Sequence, residues 1–214
     1  MILSKTKQIN NLIEGRILNE VIFLIYAKYK NARDSAWQCL IDYNITSLPV
    51  KVLGIAKTLG IKVIKDSTAH KLASKESGKS YLLNDQWQIV YNDAESKQRC
   101  RFTVAHELGH IVLGHKLNNS GVYTRTFELK KEEETEADIF ASRLLAPACV
   151  LWALDVHTPE KIAQLCDISH EASEIRADRM EVLYKRNRFL LSPLERQVYR
   201  NFEKFINEQK NLAE

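Results

Sequence analysis

The stretch RFTVAHELGHIVLGH, residues 101–115, constrains the fold more than any other part of the chain. It carries three of the six histidines. Phe102, Val104, Ala105, Leu108, Ile111, Val112 and Leu113 surround those histidines, so the segment reads as a helix that is apolar nearly all round and therefore buried. Burying two histidines and a glutamate in such a helix is unfavourable unless something pairs with them. Residues four apart lie one turn above each other on a helix. His106 and His110 can then turn two ring nitrogens toward one divalent ion, which would satisfy both.

Glu107 completes the pattern H-E-x-x-H. It sits about 100° round the helix from His106, beside the open side of such an ion rather than among its ligands. That arrangement fits hydrolysis. A bound metal brings the pKa of its water to about 7. Glu107 is placed to take the proton as water attacks a carbonyl, and to pass it to the leaving amine. A catalytic site of this kind needs a third protein ligand and one open position. His115 lies five residues past His110 and off the ligand face. A third histidine in the H-x-x-G-x-x-H continuation would need glycine at position 113 and histidine at 116, where the chain has Leu113 and Lys116. The next acids are in KKEEETEADIFASRLLAP. Glu134 and Asp138 are four apart, and Ala141 and Leu145 continue their face. Small Ala137 and Ala141 would allow close approach to the first helix. Glu134 is the expected third ligand, with Glu133 and Glu136 as the alternatives on the same helix. Asp138 is placed to accept a hydrogen bond from the far nitrogen of a ligand histidine.

The rest of the chain supports an α+β fold. Hydrophobic residues make up 45% of the 214 residues, enough for a sizeable core. Residues 3–30 and 31–43 have helical spacing. SLPVKVLGIAKTLG reads as a helix with Ser47 and Pro49 at its start and Gly60 after its end. IKVIK (61–65) alternates as a strand does, and 80–91 reads as a hairpin around Asn84-Asp85. Asn92 or Asp93 is expected to cap the histidine helix. Farther on, Thr158 with Pro159, Ser169, and Ser192 with Pro193 and Glu195 mark three more helix starts. The expected architecture is a small antiparallel sheet with two metal-site helices, then a helical extension. The divisions expected are 1–46, 47–150 and 151–214.

Three stretches together resemble the ImmA/IrrE family of metallo-endopeptidases: LPVKVLGIAKTLGIKVI, IVYNDAESKQRCRFTVAHELGHIVLGH and ETEADIFASRLLAP. They span roughly residues 49–147, and TPEKIAQLCDIS resembles the family's C-terminal helices more loosely. The resemblance implies a zincin-like core, with His106, His110 and Glu134 holding Zn2+ and Glu107 as general base. It also implies cleavage of a repressor or regulator of a mobile element or stress response, such as a helix-turn-helix repressor encoded nearby. Asp138 stands where many relatives have asparagine, and either side chain accepts a hydrogen bond. Residues 1–45 lie outside the matching part.

Other features point less sharply. EKIAQLCDISHEASEIRADR has the outline of a helix-turn-helix. Yet Asp167 sits where glycine is usual, and Glu171, Glu174, Asp178 and Glu181 on the second helix would repel phosphates. Packing on the core is the expected role, and DNA is not an expected partner. Net charge is only +4, with acids and bases interleaved. His115, Tyr123 and Arg125 are candidates to stabilise a developing oxyanion. The four cysteines form no C-x-x-C pair, and VIFLIYA (21–27) is too short for a bilayer, which takes about 20 residues. A cytoplasmic protein with no membrane partner is expected. The competing reading is a metal-containing regulator that binds DNA or a partner, as in toxin–antitoxin sequestration, without proteolysis. Glu107 argues against it, because a structural metal site needs no general base.

Overall fold

The computed structural model describes residues 30–115, 130–187 and 189–212. The chain divides into two units, residues 1–31 and 32–214. Of the first unit only Lys30 and Asn31 are among the described residues, so the expected helix over 3–30 and the VIFLIYA run lie outside them.

The second unit is mostly helical. Helix α1 (Lys30–Asp42) and the short α2 (Val52–Thr58) precede strand β1 (Lys62–Lys65) and one turn of helix, α3 (Asp66–Ala69). Strands β2 (Gly78–Leu83) and β3 (Gln86–Tyr91) follow, then the paired helices α4 (Lys97–Val112) and α5 (Lys130–Leu145). Helices α6 (Ala148–Ala153), α7 (Pro159–Cys166), α8 (His170–Arg186) and α9 (Pro193–Asn211) complete it.

The sheet order is β1-β3-β2, and the sheet is mixed, not antiparallel as expected. Strands β2 and β3 form the expected hairpin, with Ser80 opposite Ile89. Asn84 and Asp85 both take positive φ, at 50° and 58°, the conformation that two-residue hairpin turns require and that these two residues tolerate. Strand β1 runs parallel to β3, with Val63 opposite Ile89. The alternation of IKVIK shows which side chains share a face, but nothing in it encodes the direction of the partner. The central strand β3 buries Ile89 and Val90 completely.

Helix starts differ in instructive ways. The cap of α4 is Ser96, whose hydroxyl accepts from the Arg99 backbone N–H at 3.2 Å, not Asn92 or Asp93. Asp93 is engaged elsewhere: its carboxylate accepts from the Ser67 N–H (2.9 Å) and hydroxyl (2.7 Å), tying α3 to the end of β3. Helix α2 begins at Val52 with no side-chain cap, so Ser47 does not serve it. Thr158 and Ser169 cap α7 and α8 as expected. At α9 the Ser192 hydroxyl makes no cap bond; Glu195 is buried, and burial raises its carboxyl while the nearby backbone of Leu190, Leu191 and Ser192 pulls it back.

One buried apolar cluster runs from Ala36 to Ile206 and includes Leu108, Phe140, Leu144, Val198 and Phe202. The C-terminal helices therefore share a core with α4 and α5. Their docking is specific. Asp167, in the left-handed turn between α7 and α8, receives Lys97 at 2.7 Å and Gln98 at 3.0 Å, both from α4. Arg101 donates to the backbone carbonyls of Asp167 (3.1 Å) and Cys166 (3.2 Å). On α8, Arg176 points inward, is 3% exposed, and donates to the Ala146 carbonyl. A side chain so placed cannot reach a phosphate. Cys39, Cys149 and Cys166 are buried free thiols, and burial pushes each up to about 12. No described helix is long and apolar enough to cross a membrane.

Candidate metal centre

Helices α4 and α5 approach closely because small residues face each other. A Cβ on Gly109 would meet Phe140 Cδ1 at 3.0 Å and the Ala137 backbone at 3.3 Å. Ala137 and Ala141 are fully buried. That proximity brings three ligating groups to one point. His106 Nε2 and His110 Nε2 are 3.0 Å apart. Glu134 Oε2 is 3.4 Å from the first, and Oε1 is 3.6 Å from the second. Among the described residues this is the group that could hold a metal ion. A tetrahedral ion with ligand bonds of 2.0–2.1 Å needs its ligands about 3.3 Å apart. The observed separations bracket that value, so the donor set fits such an ion as it stands. Neither Glu133 nor Glu136 belongs to the cluster.

The rear nitrogens are also engaged. His106 Nδ1 faces Asp138 Oδ1 at 2.8 Å. His110 Nδ1 faces His115 Nδ1 at 2.9 Å, and His115 Nε2 faces Glu136 Oε2 at 3.0 Å. His115 thus lies behind His110, while Tyr123 and Arg125 fall outside the described residues. The contacts of His106 alter its basicity. Burial pulls the imidazole down, but Asp138, Glu134 and Glu107 together outweigh burial and raise it to about 9.

Glu107 is 8% exposed. It lines a cleft of about 630 Å³ together with His106, Glu134 and Asp138. The start of β2 forms one wall. A Cβ on Gly78 would run into the Thr103 methyl and come within 3.4 Å of Glu107 Cγ. Glycine at this position lets the strand lie against the general-base candidate. Phe102, Ile139, Ala172 and Ile175 form an apolar side of the cleft, and Ile175 is 66% exposed. Ala172 and Ile175 come from α8, so the C-terminal region contributes to the cleft as well as to the core. Sequence reasoning missed Gly78 and this α8 wall. An isolated glycine opening a strand was the available hint for the first.

Two histidines and a glutamate on paired helices, with a second glutamate beside them in an open cleft, define a metallohydrolase type of centre. The family comparison agrees. Residues 56–178, over half of the chain, match the IrrE N-terminal-like domain of the peptidase M78 family. The chain belongs to this family of metallopeptidases. It is similar to the Metallopeptidase ImmA of Bacillus subtilis (strain 168), at 41% identity over 61 residues. That match covers 28% of this chain and 35% of the relative.

Proposed function

We propose that the protein is a zinc-dependent endopeptidase with a zincin-like core. The observation that carries this reading is the convergence of His106, His110 and Glu134 with Glu107 in the same cleft. A His₂Glu donor set suits zinc, which supplies a Lewis acid and a water acidic enough to be deprotonated near neutral pH. Glu107 accepts the proton of the attacking water and returns it to the leaving amine. The wall of β2 accounts for substrate binding. Among the described residues β2 pairs with β3 alone, so its other edge is available to an extended peptide through main-chain hydrogen bonds. Such binding requires an unfolded or loop segment of a protein. A repressor or regulator encoded nearby fits, since cleaving one such protein would act as a switch. The DNA-binding alternative gains nothing from α8, where Arg176 is buried.

Glu107→Gln separates proteolysis from sequestration. The amide cannot take a proton, so hydrolysis should fall by about 10²–10⁴. Metal content and fold should persist, and the variant should retain uncut substrate in a pull-down. If the variant relieves repression in cells as well as the unaltered protein does, peptide hydrolysis is not how this protein acts.

A further inference from the structure

The end of helix α4 places one more histidine where a ligand needs support. Leu113 is the cap that follows Val112, the last residue of α4, and Gly114 takes φ 68°. The Gly114 N–H donates to the Ile111 carbonyl (3.2 Å), and the His115 N–H donates to the His110 carbonyl (3.1 Å). This pair of bonds is the Schellman termination, in which the second residue past the cap folds back over the third-from-last helical residue. That contact is usually between two apolar side chains. Here it joins two imidazoles, His115 over His110, with ring centroids 5.0 Å apart and planes at 69°. Both are enclosed: the side chains are 2% exposed for His110 and 6% for His115. Glu136, from the next helix, closes the chain at 3.0 Å.

One assignment of protons satisfies these contacts among the described residues. If His110 gives its Nε2 lone pair to the ion, its proton is on Nδ1 and is donated to His115 Nδ1. His115 must then carry its own proton on Nε2, where it is donated to the Glu136 carboxylate. Each imidazole has one donor and one acceptor, and both are used. We infer that His115 and Glu136 are positioning residues that orient His110 as a metal ligand, through a carboxylate–histidine–histidine relay. The inference rests on the reading of His106, His110 and Glu134 as the metal site. His115 accordingly serves the buried ligand and not an oxyanion.

The test uses the full chain, with Zn2+ and Co2+ as probes. His115→Phe keeps a ring of similar shape and removes the acceptor. It should weaken zinc binding by about 10–100-fold, as loss of a ligand's supporting partner does. Glu136→Gln should weaken it less, and the double variant should bind no more weakly than His115→Phe alone, because Glu136 acts only through His115. Unaltered zinc affinity in His115→Phe, or strictly additive losses in the double variant, would overturn the relay. Should His115→Phe fail to fold, the unaltered Co2+-loaded protein decides. Proton resonances shifted by the metal should include two ring N–H protons. The one on His110 should exchange with solvent far more slowly than the one on His106, whose partner Asp138 is 58% exposed. A single such resonance, or equal exchange, refutes the assignment. His106→Ala serves as the control for the underlying reading. If it too leaves zinc binding intact, the metal site itself is misplaced. If it abolishes binding while His115→Phe does not, only the relay fails.

Discussion

His106 and His110 occupy successive turns of one helix and aim the same ring atom at the same point, 3.0 Å apart. Behind them the two arms differ. His106 is backed directly by Asp138 at 2.8 Å, a carboxylate whose side chain is 58% exposed. His110 is backed by His115 at 2.9 Å, in a place where neither side chain is more than 6% exposed. The difference follows from position along the helix. His106 faces the cleft, where water can replace a lost partner at small cost. His110 faces the helix end and its turn, where a ring N–H without a partner would be left desolvated, at about 1–3 kcal/mol. A ligand at the cleft wall can rely on a short surface carboxylate. A buried one needs a partner built into the fold.

The ligand common to both arms should give the largest effect. Glu134→Ala removes one of the three proposed protein ligands. A quarter of the roughly 10–16 kcal/mol that a four-ligand zinc site provides is about 3 kcal/mol, or on the order of 100-fold in affinity. Glu133→Ala should leave zinc affinity within about twofold, since that side chain is outside the cluster. Competition with a chromophoric chelator measures both. A greater loss in Glu136→Ala than in Glu134→Ala would shift the assignment by half a turn of α5.

Acidity should separate the arms next. In the metal-free protein His106 is held protonated up to about 9, against an ordinary 6.5, because Asp138, Glu134 and Glu107 outweigh its burial. A histidine raised in the folded state adds stability that is complete below 6.5 and is lost as pH rises through 9. The metal-free protein should therefore melt lower at pH 9.5 than at pH 6.5. Zinc has the opposite sign, since His106 must release its proton to bind. Zinc affinity should fall steadily as pH drops below 9. Asp138→Asn should flatten the melting profile of the metal-free protein. A profile unchanged by that substitution would show that Asp138 does not hold the proton.

The supporting partners themselves come third. Both should lie in the 10–100-fold range that partner loss produces, with His115→Phe near its upper end and Asp138→Ala near its lower end. Reversal of that order, measured by zinc competition, would mean that burial does not govern what a ligand requires of its partner.

The same distinction explains what could be read from the sequence. The placement of His106, Glu107 and His110 depends on one local period, and the four-residue step shows it directly. Glu134 and Asp138 were reachable because they repeat that step on a second helix that small residues allow close. The role of His115 was not readable. It depends on a left-handed turn at Gly114 and on the register of α5, which together bring Glu136 to the outer nitrogen. The parallel pairing of β1 with β3 is likewise a tertiary choice that alternation does not express. Ser96 caps α4 where Asn92 or Asp93 was expected, while Asp93 accepts from Ser67 and Asn92 accepts from the Ala94 N–H. The inward turn of Arg176 was hidden for the same kind of reason, since charge on α8 says nothing about which cations face the core.

The smallest expected effect sharpens the comparison most, because it strikes only one arm. A Cβ at Gly114 meets nothing within 4 Å, so Gly114→Ala introduces backbone strain and no clash. The left-handed conformation costs a residue with a side chain about 1 kcal/mol, which should appear as a modest loss of thermal stability. The turn at Gly114 also aims His115, so part of that strain should reach the bond between His115 and His110. Zinc affinity should then fall, but by less than about fivefold, the equivalent of 1 kcal/mol. The bond between His106 and Asp138 lies two turns back on α4 and should not change. Asparagine tolerates the left-handed region better than alanine, so Gly114→Asn should recover most of both losses. Zinc titration beside thermal melts of the metal-free protein distinguishes the possibilities. If Gly114→Ala lowers stability yet leaves zinc affinity untouched, His115 is held in place by Glu136 and α5 rather than by the turn. If affinity falls as far as in His115→Phe, the turn alone sets the geometry and Glu136 adds little.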